Sequence, residues 1–181
     1  MLKSFARGTT PGPTGLRAQH LKDAVWSTHG DEALEQLTAV CNILAKGDAP
    51  KQLSQYLAGA TLLALGKPGG GIRPIAIGEV LRRLVAKCLC NIYEKEAYEY
   101  LWPRQIGVAA PLGAEVGVQT VRQWCDRNQA SERKLIFVAD FENAFNTIER
   151  EKFLREVRHR MPGLARWTEC TVLWWSFQTV L

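Results

Sequence analysis

Residues 59–77 interrupt a chain that otherwise reads as mostly helical, and they limit its fold more than any other stretch. Gly59-Ala-Thr-Leu-Leu-Ala-Leu65 and Ile72-Arg-Pro-Ile-Ala-Ile77 are short apolar runs on either side of Gly66-Lys-Pro-Gly-Gly-Gly71. Two such runs around a Gly/Pro cluster predict a β-hairpin with a flexible tip. Pro74 has no N–H to donate, so the second strand is expected at an edge. A hairpin set among helices makes the fold class α+β.

Helical spacing surrounds it. Leu16 to Thr28 and Asp31 to Lys46 predict helices, the second with Leu34, Leu37, Val40, Cys41 and Leu44 on one face and Gly47 as its stop. A short helix is expected around Pro50 to Leu57. From Glu79 to Leu101, Leu81, Leu84, Val85, Cys88, Leu89, Ile92 and Tyr93 recur at helical spacing, which predicts one amphipathic helix of about six turns. Arg83, Lys87, Asn91 and Lys95 share its other face, which reads either as a solvated basic side or as a nucleic-acid contact. Beyond the Trp102–Gly113 loop, helices are expected over Ala114–Arg127, Glu151–Arg160 and from Leu164 onward, with Phe153, Leu154 and Val157 on one face of the middle one. Lys134-Leu-Ile-Phe-Val-Ala139 is a continuous apolar run of the length of a buried strand, ending at Asp140.

Composition narrows the class. With 46% hydrophobic and 23% charged residues over 181 positions, the chain can bury a core and is neither disordered nor a disulfide scaffold. Cys41, Cys88, Cys90, Cys125 and Cys170 are odd in number and lack a CxxC spacing, so reduced thiols are expected rather than a disulfide framework or zinc site. No apolar run approaches the ~20 residues of a membrane span, and Met1 to Gly15 holds no apolar signal core. An intracellular protein, cytoplasmic or nuclear, is expected. The formal net charge of +5 is compatible with a polyanion partner without being diagnostic of one. The first fifteen residues, rich in Gly, Pro and Thr, read as a flexible lead-in, with packing beginning after Gly15.

Two elements can carry chemistry. Phe137-Val-Ala-Asp140-Phe141-Glu-Asn-Ala-Phe145 would deliver a carboxylate from the end of a strand to a divalent cation, which prefers hard oxygen ligands. An Asp in that place serves equally to cap a helix or form a turn. Lys67-Pro-Gly-Gly-Gly-Ile-Arg73 sets one cation on each side of a glycine tip, so both can close over a polyphosphate, Arg73 through its bidentate fork. The plain alternative is a surface hairpin kept soluble by its charges. It is not a P-loop, since the Lys precedes the glycines and no GK[ST] follows.

Taken in order, these pieces resemble the amino-terminal half of a reverse transcriptase of the non-LTR (LINE-type) retrotransposon kind and, more distantly, of group II introns. The resemblance rests on Gly12-Pro-Thr-Gly-Leu-Arg-Ala-Gln-His20-Leu as the opening segment and Leu65-Gly-Lys-Pro-Gly-Gly-Gly-Ile-Arg-Pro-Ile75 as the fingers hairpin. Gln105-Ile-Gly107 with Gly113 resembles the lead into the palm, and Phe137 to Phe145 the first palm motif, FxxDxxxAF. It implies a right-hand polymerase fold: helix-rich fingers over 16–130, including the hairpin 59–77, then the first strand and helices of a palm over 131–181, truncated. It also implies template-directed addition of dNTPs to a primer 3′ end. Asp140 would be catalytic and would hold Mg²⁺ (or Mn²⁺) with the carbonyl of Phe141. Lys67 and Arg73 would grip the triphosphate, and Phe145 would lie under the sugar. Gln105, with Arg83 and Lys87, would meet an RNA template and DNA primer.

The chain departs from that family after the first palm motif. No adjacent Asp-Asp pair occurs, so the two-metal site is incomplete and the polypeptide alone is expected not to polymerise DNA. The carboxyl-terminal palm and thumb of an intact enzyme are expected to be missing. Trp174, Trp175, Phe177, Val180 and Leu181 would then pack against such following structure, or fold back on the helices. A non-catalytic nucleic-acid-binding module using Arg73, Arg83, Lys87 and the Lys152/Arg155/Arg158 face, or an inert remnant of a mobile element, are the competing expectations.

Overall fold

The computed structural model describes residues 1–141 and 144–176, and the fold is α+β: helices with a two-stranded antiparallel sheet. The helices are α1 (Ala18–Val25), α2 (Gly30–Lys46), α3 (Ser54–Leu57), α4 (Val80–Ile92), α5 (Glu94–Leu101), α6 (Gly113–Asn128), α7 (Ala144–Thr147), α8 (Arg150–Arg160) and α9 (Pro162–Ser176). The strands are β1 (Ala60–Gly66) and β2 (Ile72–Gly78). The chain divides into two units, Met1–Cys90 with Arg150–Leu181, and Asn91–Glu149.

In the first unit, the apolar stripes of α1, α2 and α4 close over the amino-terminal segment. Phe5, Ala18, Val80 and Leu84 form a buried cluster, with Leu37, Cys41 and Cys88 packed against it. α2 stops where expected, at Gly47, whose φ of 72° is the left-handed conformation that glycine adopts most readily. Leu44 is buried, whereas Leu34 and Val40 of the same expected stripe are exposed, so α2 buries its carboxyl-terminal part more deeply. α9 packs on α8 and on α2, and Arg158 of α8 bonds Glu169 of α9 at 2.5 Å. Leu154 of α8 is buried, as its stripe predicts, while Phe153 beside it is exposed.

Three expectations are corrected. The first fifteen residues are not a loose lead-in, because Phe5 is only 5% exposed and belongs to the core. The ammonium of Lys22, buried on α1, donates to the Phe5 carbonyl at 2.6 Å and holds this segment down. Local sequence conceals this, since the contact spans seventeen residues and a Gly/Pro-rich stretch carries no periodic signal.

The single helix expected over 79–101 is two helices. Its bounds break at Tyr93, whose ψ of 8° lies outside the helical range. The break falls where burial runs out: Val80, Leu84, Val85 and Leu89 are buried, but Ile92 is exposed.

Residues 134–140 are not a buried strand. They carry no strand assignment and are exposed throughout, Phe137 and Val138 each to 83%. A strand needs partners for its backbone, and among the described residues the sheet is β1 and β2 alone, paired with each other. An apolar run supplies the pattern of a strand but not the neighbour.

Truncating the ring tests the corrected amino terminus. Phe5→Ala is expected to lower unfolding free energy by about 3–5 kcal/mol in denaturant titration, as for a core aromatic. A loss under about 1 kcal/mol, typical of a surface change, would return residues 1–15 to a loose lead-in.

Candidate functional site

The hairpin forms as its sequence predicts. Its register pairs Ala60 with Gly78, Ala64 with Pro74, Leu65 with Arg73 and Gly66 with Ile72. Each strand of a two-stranded sheet is an edge, so Pro74 sits without loss of a ladder bond. At the tip the Gly70 amide donates to the Lys67 carbonyl at 3.0 Å, and the Lys67 amide to the Gly71 carbonyl at 3.1 Å. Pro68 suits the first central position of this turn, and Gly70 and Gly71 both take φ of 88°, which a side chain would resist.

Side chains alternate across a strand, so Lys67 falls on the same face as Leu65, and Leu65 is directly opposite Arg73. The two cations therefore share one face of the tip. Both are exposed, and among the described residues neither has a carboxylate partner.

The root of the hairpin is fixed, in contrast to its exposed length over residues 61–76. Leu57, Ala58 and Val80 are buried there. Glu79, between β2 and α4, is 3% exposed and uses both carboxylate oxygens on Thr14: the amide donates to Oε1 and the hydroxyl to Oε2, each at 2.8 Å. Arg82 donates to the Ala58 carbonyl at 3.0 Å on the β1 side. Burial draws the Arg82 guanidinium below its ordinary pKa, and the Glu79 carboxylate opposes that shift.

Arg83 and Lys87 both lie over the Phe5 ring, at 5.9 and 5.2 Å from its centroid. Such cation–π contacts contribute about 0.5–1 kcal/mol each at exposed sites. Arg83 also donates to the Thr10 carbonyl at 2.6 Å, and its Nε is buried without a partner. Arg83 is thus engaged with the amino-terminal segment, while Lys87 remains exposed.

In the second unit, Gln105 uses its side chain locally: Oε1 accepts the Gly107 amide at 2.7 Å. The start of α6 meets this turn, for a Cβ on Gly113 would stand 1.7 Å from the Ile106 carbonyl oxygen. Gln105-Ile-Gly107 and Gly113, taken together in the sequence, are in contact through Ile106. Near them Tyr98 stacks on Trp102 at 5.6 Å. An open cleft of about 500 Å³, lined by Asn91, Ile92, Glu94, Lys95, Tyr98, Ala109 and Pro111, includes none of the candidate residues.

Asp140 is exposed, and its Oδ1 accepts the amide of Phe141 at 3.0 Å. Phe141 is itself 76% exposed. The side chain of Phe145, on α7, lies outside the described residues, as do Phe177, Val180 and Leu181. Among the described residues no group of three or more His, Cys, Asp or Glu side chains could hold a metal ion. One carboxylate and a carbonyl are too few oxygens for a pair of dications, so these residues do not by themselves fit a two-metal centre. Among the same residues no helix is long and apolar enough to cross a membrane. Compared with models of protein families, with curated proteins and with solved structures, the chain matches none.

The residue that sequence reasoning missed is Glu79. Its only local signal is a carboxylate just ahead of an apolar-periodic helix, and its partner is 65 positions away. Glu79→Ala is expected to cost about 1–3 kcal/mol in denaturant titration, because it removes both hydrogen bonds that the buried carboxylate accepts from Thr14. Glu79→Gln keeps one acceptor oxygen and loses less. Equal and negligible losses for the two variants would show that the carboxylate does not hold the hairpin root.

Proposed function

We propose that this chain is part of an RNA-directed DNA polymerase of the non-LTR retrotransposon kind, comprising its fingers and the first palm motif within a right-hand polymerase fold. The observation that carries the reading is the glycine-tipped hairpin with Lys67 and Arg73 on one face, anchored at its root and exposed at its tip. That is an arrangement in which two cations can close over the triphosphate of a dNTP. Arginine contributes a planar fork and lysine a point charge, so Arg73 is the stronger determinant. The contact of Gln105-Ile-Gly107 with Gly113 supports reading them as one element, facing an RNA template and DNA primer.

Asp140 and the Phe141 carbonyl would be a partial set of ligands for Mg²⁺ or Mn²⁺. The remaining carboxylates would be supplied outside the described residues, and without them the chain binds but does not polymerise. A second reading, a nucleic-acid-binding module without catalysis, draws on the observation that among the described residues no three His, Cys, Asp or Glu side chains gather into a group that could hold a metal ion. Lys87, exposed on α4, would then contact phosphates with the hairpin.

Titration of a labelled primer–template and of dNTP with Mg²⁺ separates these readings. Binding that weakens steeply with salt is expected, with Arg73→Ala reducing dNTP affinity by about tenfold and Lys67→Ala by less. Primer–template binding with no dNTP binding favours the non-catalytic module. An inert remnant is indicated if neither ligand raises thermal stability, because a ligand that prefers the folded state must do so. Primer extension by the chain alone is expected to be absent, and extension abolished by Asp140→Asn would overturn the claim that it does not polymerise.

A further inference from the structure

The segment 134–141 exposes Leu135, Phe137, Val138 and Phe141 to between 76% and 83%, with Ile136 at 45%. Among the described residues its backbone makes no ladder hydrogen bond; the Phe141 amide is taken by the adjacent Asp140 side chain. A seven-residue run of high β-propensity, zero net charge and no Pro or Gly is the kind of sequence that recruits a strand.

The run is also charge-symmetric. Lys134-Leu-Ile-Phe137-Val-Ala-Asp140 has its cation three residues before Phe137 and its anion three residues after. Antiparallel pairing of two copies about a two-fold axis at Phe137 sets Lys134 of each opposite Asp140 of the other. Leu135 then meets Ala139, Ile136 meets Val138, and Phe137 meets Phe137. Alternation puts Lys134, Ile136, Val138 and Asp140 on one face, an apolar quartet closed at both ends by an ion pair. The other face carries the two phenylalanines between Leu/Ala pairs, and aromatic cross-strand pairs are favourable. Pairing in parallel register would instead set Lys134 against Lys134 and Asp140 against Asp140. Antiparallel pairing centred on Ile136 would bring Asp140 opposite Glu132.

We infer that residues 134–140 are a self-complementary strand through which two copies of this chain pair antiparallel, as an isologous dimer centred on Phe137. The interface is the same patch on both copies, so it closes at two. Each of its two ion pairs is duplicated by symmetry, and a single charge reversal breaks both. The inference does not rest on the polymerase reading, because it needs neither a nucleotide nor a metal.

Sedimentation equilibrium of the full chain over a range of micromolar concentrations tests it. A reversible monomer–dimer equilibrium is expected. Lys134→Glu and Asp140→Lys should each weaken dimerisation by roughly tenfold, since both cross-strand pairs become like-charged. The double reversal should restore the wild-type constant, because the pairs re-form with opposite polarity. Both positions are exposed, and unchanged far-UV circular dichroism checks that the variants fold. A wild-type chain that stays monomeric overturns the inference in favour of a strand from a different protein. Association indifferent to the single reversals, or not rescued by the double one, overturns it in favour of unspecific hydrophobic aggregation.

Discussion

The carboxylate of Glu79 joins the opening segment to the point where β2 becomes α4. Both of its oxygens bond Thr14, and its burial makes each of those bonds costly to lose. Arg82, one turn on, ties α4 to the other leg of the hairpin through Ala58. Both legs are therefore fixed to one helix whose opposite face is core. A hairpin of two strands is marginal by itself in water, and anchoring at the root is what allows its length and tip to project. The nucleotide-gripping role proposed for Lys67 and Arg73 depends on that anchor, because cations on a free ribbon would spend binding energy on ordering it.

The same unit shows how a basic helix face can serve two ends. Arg83 and Lys87 look alike in the sequence, four residues apart on one side of α4. Arg83 is drawn down to Thr10 and the Phe5 ring, so it stabilises the amino-terminal segment. Lys87 shares the ring but keeps its ammonium in water. Its long stem can cover apolar surface while its charge remains available, a division that arginine held by a short hydrogen bond does not make. Of these two cations, both expected with Gln105 at a template or primer, Lys87 is the one the fold leaves exposed.

What could be read from the sequence was whatever is decided within a few residues. The hairpin and its tip, α2 with its Gly47 stop, α6 and α8 all follow from periodicity and turn chemistry, and they lie within two residues of their expected bounds. Phe5 and Glu79 were opaque because their partners, Lys22 and Arg83 for one and Thr14 for the other, are distant in sequence. The break at Tyr93 was hidden by a stripe that continues in the sequence after it has lost its cover. The candidate site divides the same way: Lys67 and Arg73 share a face by register alone, whereas the bond of Gln105 to the Gly107 amide and the approach of Gly113 to Ile106 carry no periodic signal. The surroundings of Asp140 depended on a sheet that the described residues do not form.

Residues 134–140 concentrate that last difficulty. Burying a Leu, Phe or Val side chain stabilises by about 1.5–3 kcal/mol, and several of them stand in water here beside unpaired backbone. Such a segment is stable in this state only in competition with every strand that could cover it. Within a larger polymerase, neighbouring palm strands would do so and leave Asp140 at their rim. Between two copies of this chain, Lys134 of the partner would take Asp140 instead. A carboxylate in a cross-strand ion pair is a poorer ligand for a divalent cation, because the ammonium must be displaced before the metal can bind. The two states therefore exclude one another at a single side chain, and pairing of the isolated chain would keep the carboxylate proposed as a metal ligand closed until a larger sheet takes the strand over.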